Sequence, residues 1–136
     1  MFRTAPVLRT CQESGQWRLE LPVVWETPEE IVVIPPGFRT DLASIPRLLQ
    51  SVVPVNGKHR PAAILHDYLF VVQDRPRDQV DALFLRAMAA SGVRTTQRMA
   101  MYLAVRLGGW LPWQRNARAL AADPRAFLAR HGLDRR

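Results

Sequence analysis

Cysteine is almost absent from this 136-residue chain: Cys11 stands alone, which excludes an internal disulfide framework and any cysteine-rich zinc site. Such a chain suits a reducing compartment. Lysine is equally scarce, Lys58 being one of 19 basic residues and the rest arginine. No apolar run approaches the ~20 residues that span a bilayer. The opening Met1-Phe2-Arg3-Thr4-Ala5-Pro6 lacks the apolar stretch of a signal peptide. Synthesis as a soluble cytoplasmic protein is therefore the expectation. Also missing are paired-cysteine fingers, an aromatic RNA-binding signature and basic runs backed by heptads, so nucleic acid is not expected as a partner. There is no internal repeat and no low-complexity tract.

What is present suffices for one domain with a core of its own, at 48% hydrophobic and 23% charged residues. The net charge of +7 is unevenly placed. Residues 1–57 carry five basic and six acidic side chains, whereas 58–136 carry fourteen and six. The basic part suits an anionic lipid surface, nucleic acid or an acidic protein, or simply a solvated face.

Periodicity divides the chain in the same place. Residues 7–10, 17–21, 23–26 and 31–34 are rich in β-branched and aromatic residues and are separated by Ser14-Gly15, Thr27-Pro28 and Pro35-Pro36-Gly37, which predicts short antiparallel strands. Between 38 and 60, Pro46, Pro54 and Gly57 interrupt any pattern, and a loop is expected. Pro61 suits the first turn of a helix running to about Gln73. Asp74-Arg75-Pro76 starts a second, which runs to Ser91 and is capped by Gly92. Thr95 or Thr96 caps a third that ends at Gly108-Gly109, and Asp123-Pro124 opens a short fourth that stops at Gly132. The expected fold class is α+β: a small N-terminal sheet or hairpins in 1–37, a loop in 38–60, and three to four helices in 61–136, forming a single domain.

Two polar residues occupy positions where the helical pattern calls for apolar ones. His66 shares a helix face with Ala62, Leu69 and Phe70, and Asp81 shares one with Phe84 and Met88. A carboxylate aimed at a core is costly unless paired, so Asp81 is expected to meet His66 across two antiparallel helices joined by a very short link. A carboxylate on one imidazole nitrogen fixes the tautomer and leaves the other nitrogen as a general base. Asp67 points about 100° around the helix from His66, and Asp41 in the loop is placed to meet it there. Two carboxylates with a backbone carbonyl and waters suit Ca²⁺. Each residue also has a plainer role: His66 as a satisfied core histidine, Asp41 as a turn cap, and Asp81 as the partner of Arg77 on its own helix.

Taken in order, Thr40-Asp41-Leu42, His66-Asp67, Arg77, Asp81-Ala82-Leu83-Phe84 with Met88, and Met101-Tyr102-Leu103-Ala104-Val105-Arg106 resemble the pattern of prokaryotic and fungal-type secreted phospholipase A2 over residues 38–109. That resemblance implies a phospholipase A2-like helical core. It implies His66 as the catalytic base, Asp81 as its orienting partner, and Asp41, the Leu42 carbonyl and Asp67 as calcium ligands in a hydrolase of lipid esters. The chain departs from the pattern in having Ala43, Ala63 and Ser91 in place of cysteines, and Phe70 in place of a tyrosine whose hydroxyl would help hold the orienting aspartate.

A second string is more specific. Gly37-Phe38-Arg39-Thr40-Asp41-Leu42-Ala43-Ser44-Ile45-Pro46-Arg47, followed by Pro61-Ala62-Ala63-Ile64-Leu65-His66-Asp67, resembles an uncharacterised domain family of tailed phages and prophages. It implies a viral protein encoded among tail and lysis genes and made in the host cytoplasm. Its partners would be phage structural proteins, or a lipid surface met by the basic part with Trp110 and Trp113. The competing expectation is a non-catalytic virion component of the tail or tail tip, in which the same residues serve as architecture.

Overall fold

The N-terminal strands form because β-branched and aromatic residues are concentrated in short stretches that turn residues bracket. The computed structural model describes residues 1–10, 16–40 and 57–133. Strand β3 (Val23–Glu26) pairs antiparallel with β4 (Ile31–Ile34), placing Val23 opposite Ile34 and Trp25 opposite Val32. Those four side chains are buried, whereas Ile31 and Val33 face outward, the period of two that a half-buried sheet requires. Each contributes roughly 1.5–3 kcal/mol on burial. Thr27 closes the hairpin, its hydroxyl accepting from the Glu30 amide at 3.1 Å.

Three further strands make a second sheet in the order β1 (Leu8–Thr10), β2 (Trp17–Leu19), β5 (Arg39–Thr40), all neighbours antiparallel. β5 lies inside the stretch expected to be loop. At two residues it is too short to carry a pattern, and its pairing with β2 (Trp17 with Thr40, Arg18 with Arg39) is a long-range choice.

Five helices follow: α1 (Arg60–Val72), α2 (Arg77–Ala90), α3 (Thr95–Gly108), α4 (Trp110–Ala122) and α5 (Pro124–Arg130). The arrangement is α+β as expected, but with one helix more than three to four. The additional one is α4. Pro112 and the preceding glycine pair read as breakers, yet proline in a helix's first turn removes only an N–H that has no partner there. Pro61 opens α1 for the same reason. Gly92 ends the α2 segment with φ of +81°, and the Asp123 side chain caps α5 by accepting from the Ala126 amide at 3.1 Å. Thr95 and Thr96 cap nothing: Arg94 holds the N-cap position of α3 without a side-chain hydrogen bond.

Helix α2 packs against α1 and α3, and α4 packs against α1, α3 and α5. The core joins both parts of the chain, with Leu19, Trp25, Ile34 and Phe38 from the strands and Ile64, Leu65, Leu69, Val80, Phe84 and Met88 from the helices. At the far end the chain folds back on the strands. The Arg39 amide donates to the His131 carbonyl at 2.8 Å. Gly132 lies so close to Gly37 that a Cβ built on it would sit 1.8 Å from the Gly37 oxygen. This backbone contact brings the end of α5 to the edge of the sheet.

Candidate active site

The buried face of α1 runs through Ala62, Leu65, His66, Leu69 and Phe70, and that of α2 through Val80, Asp81, Phe84, Ala87 and Met88. The link of four residues between them, begun by Gln73 in the left-handed region (φ 49°), sets the helices side by side. His66 Nε2 then lies 2.7 Å from Asp81 Oδ1. Both are buried, His66 at 5% and Asp81 at 0% exposure. Because a carboxylate oxygen accepts here, the Nε2–H donates, and in the neutral ring Nδ1 keeps the lone pair. Among the described residues nothing hydrogen-bonds Nδ1.

The ring is also fixed from its faces. Phe70 and Phe84 stack on it at centroid distances of 4.4 and 4.7 Å, tilted by 36° and 40°. Phe70 stands where the phospholipase pattern has tyrosine, and it packs against the histidine. The second oxygen of Asp81 is instead held by arginines. Arg106 Nη1 lies 2.9 Å from Oδ2, and Arg77 Nε lies 3.3 Å away. The Arg77 contact is coulombic, since its Nε–H is not aligned for a hydrogen bond. Arg77 Nη2 donates to the carbonyls of Val105 and Arg106 at the end of α3, the first of which also accepts from the Gly109 amide. Asp81 therefore links α1, α2 and α3 through one carboxylate. The sequence offered His66 and Arg77 as alternative partners for it, and the fold uses both.

His66 and Asp67 wall a cavity of about 420 Å³. Phe70, Val71, Val105 and Pro112 form its apolar side, and Arg39, Asn116 and His131 contribute polar groups. Asn116 Nδ2 donates to the Phe70 carbonyl at 3.0 Å, which ties α4 to α1. Phe70 meets the Trp113 ring edge-on at 5.0 Å on the same side. Trp113 thus packs inward, while Trp110 is exposed. Gly109, at the α3–α4 junction, is needed for this closure: a Cβ there would lie 2.4 Å from the Val105 oxygen and 3.2 Å from Phe70.

Of the calcium ligands implied by the resemblance, Asp67 is on the cavity wall, and its carboxylate accepts from the buried Thr40 hydroxyl. Asp41 and Leu42 lie outside the described residues. Among the described residues no three His, Cys, Asp or Glu side chains converge on a metal-sized site. Asp67 is an oxygen donor of the kind calcium takes. Arg106 and His131 escaped the sequence reading. Arg106 stands 25 residues from Asp81 with no periodic signal joining them, and His131 reaches the cavity where the chain end meets the sheet, through the Gly37–Gly132 approach and the Arg39 amide bond to its carbonyl.

Together these features define an α+β protein with a histidine–aspartate pair, held by arginines, at the wall of a half-apolar cavity. The chain belongs to the family described as "Protein of unknown function (DUF1353)", whose model matches residues 17–105. The match runs from β2 into α3, so it covers His66, Asp67, Arg77 and Asp81 but stops one residue short of Arg106. A curated relative, described as "Uncharacterized protein y4jT" of Sinorhizobium fredii (strain NBRC 101917 / NGR234), is 32% identical over 101 residues, 71% of this chain. The aligned part is 30% of that relative, so the chain spans well under half of its length. No solved structure matches the chain significantly. No helix among the described residues is long and apolar enough to cross a membrane.

Proposed function

We propose that this chain is a phage or prophage hydrolase with a site of phospholipase A2 type, in which His66 activates water for attack on a lipid ester. The observation that carries the reading is the 2.7 Å contact of His66 Nε2 with Asp81 Oδ1 in a histidine that also walls the cavity. With Nε2–H donated to Asp81, Nδ1 is the nitrogen that takes the proton from water as it attacks the ester carbonyl. Asp81 then faces the imidazolium so formed and stabilises it. Phe70 and Phe84 stop the ring from turning, and the apolar side of the cavity suits an acyl chain. Calcium, held by Asp41, the Leu42 carbonyl and Asp67, would supply polarisation of the carbonyl. The phage assignment rests on the strings at 37–47 and 61–67.

The test is acyl release from mixed phospholipid micelles, with calcium and with chelator, by wild type and His66→Gln. Calcium-dependent release that is lost in the variant is the expected result. Release undiminished by the substitution rules this site out.

One observation favours a second reading, a structural component of the virion in which the pair is architecture: Asp81 spends its second oxygen on Arg106 and Arg77, tying three helices together. Folded wild-type protein that releases no acyl chain under either condition selects that reading, and co-purification with assembled tails then tests it.

A further inference from the structure

The cavity wall holds an arginine, Arg39, that has no counter-charge among the described residues. Arg39 is the basic side chain of the cavity wall among the described residues, and it is partly buried. No described carboxylate pairs with it, whereas Arg3, Arg9, Arg75, Arg77 and Arg106 each have one. Asp67, on the same wall, accepts from the Thr40 hydroxyl. Arg39 is also held in place. Its backbone pairs with Arg18 in β2, and its amide donates to the His131 carbonyl.

The same contact delivers His131 to the cavity. Its Nδ1 lies 2.9 Å from the Phe127 carbonyl. A carbonyl only accepts, so Nδ1 carries a hydrogen, and the other ring nitrogen, Nε2, donates to an anion when the ring takes a second proton. The Phe127 ring packs on the imidazole at 4.7 Å and limits its rotation. An arginine and an imidazole that can take a second proton, lining one cavity with apolar side chains, are the groups that recognise an oxyanion on an otherwise apolar molecule.

We infer that Arg39 and His131 form an anion subsite of this cavity, and that its ligand is a small amphiphile bearing a phosphate or carboxylate group, with its apolar part against Phe70, Val71, Val105 and Pro112. The inference rests on the proposed hydrolase reading only for what becomes of the ligand. Its test reads binding and not turnover, so hydrolysis lost in His66→Gln can stand while this subsite fails, and the reverse.

The experiment titrates hexyl phosphate, hexanoate and 1-hexanol into wild type and Arg39→Gln by calorimetry. Wild type is expected to bind at least one of the anions, and Arg39→Gln to bind it roughly tenfold more weakly or worse, since charge-assisted hydrogen bonds are the strong ones. Tighter binding of hexyl phosphate assigns the subsite to phosphate, and tighter binding of hexanoate to carboxylate. Three results overturn the subsite: equal affinity in Arg39→Gln, 1-hexanol binding as tightly as the anions, or no anion bound by folded wild type. If Arg39→Gln does not fold, the salt dependence of wild-type binding reads the same charge. Affinity is expected to fall several-fold between about 0.05 and 0.5 M salt as screening sets in, and salt-independent affinity overturns the subsite.

Discussion

Arg106 and Asp81, 25 residues apart, meet at 2.9 Å through the carboxylate oxygen that His66 leaves unused. The candidate base is thereby tied to the end of α3. Arg77 adds a second link by reaching the carbonyls of Val105 and Arg106. Stability and chemistry share these residues, and substitution can separate them.

Asp81→Asn removes the negative charge between two guanidinium groups, one of them largely buried. Breaking such a site from one side is expected to cost about 3 kcal/mol. His66→Gln keeps a donor near Oδ1 and is expected to cost about 1 kcal/mol, while lowering any hydrolysis by roughly 10²- to 10⁴-fold. Urea unfolding of both variants checks the order. Asp81→Asn as stable as wild type would remove the structural role of the carboxylate.

Gly132 and Gly92 both have positive φ, but only Gly132 is also crowded. A Cβ at Gly132 meets the Gly37 oxygen at 1.8 Å, and one at Gly92 meets nothing within 4 Å. Gly92→Ala is expected to cost about 1–2 kcal/mol, the left-handed conformation alone. Gly132→Ala should cost more and release the end of α5 from the sheet, weakening hexyl phosphate binding through the displacement of His131. Equal thermal shifts for the two variants would count against the Gly37–Gly132 contact.

Trp113 and Asn116 hold α4 against α1. Trp113→Ala is expected to lower stability by about 2–3 kcal/mol, the loss of a partly buried aromatic. It should also speed amide exchange in α4 more than in α1 or α2. Uniform acceleration across all helices would show that α4 does not open separately.

His59, at the start of α1, should make folding sensitive to acid. Burial, reinforced by the neighbouring Arg60 charge, holds its imidazole below the usual 6.5, and its buried Nδ1 has no hydrogen-bond partner among the described residues. The unfolded chain therefore takes up a proton at a higher pH than the folded one. The contribution of this residue is complete above about pH 6.5 and is lost as the pH falls through the lower folded-state value. His59→Gln should lose less stability than wild type on acidification through that window. Parallel stability profiles for the two proteins would refute this account.

Much of the architecture was legible because it is written in local patterns. The spacing of His66 with Leu69 and Phe70, and of Asp81 with Phe84 and Met88, places those residues on buried faces without reference to the rest of the chain, whereas the strands at 23–26 and 31–34 are nearly all apolar and do not announce which face is buried. The short link after Gln73 makes neighbours of α1 and α2, so the His66–Asp81 pair could be anticipated from the cost of burying a lone carboxylate. Strand β5 and helix α4 were not legible, the first being two residues long and the second following a glycine pair that reads as a stop and carrying a proline in its first turn.

Contacts formed across long separations were decided only by the tertiary structure. Arg106 reaches Asp81 because α3 packs on α2, and Trp113 reaches Phe70 because α4 folds back on α1. Arg39 and His131 share a cavity because Gly37 and Gly132 touch. The sequence by itself determined that Asp81 needed a partner, since helical spacing puts it on an apolar face and an unpaired buried carboxylate is costly. Which cations answered that carboxylate, and which polar groups met around the cavity, depended on how the elements pack, because such contacts arise from packing geometry and leave no period in the sequence.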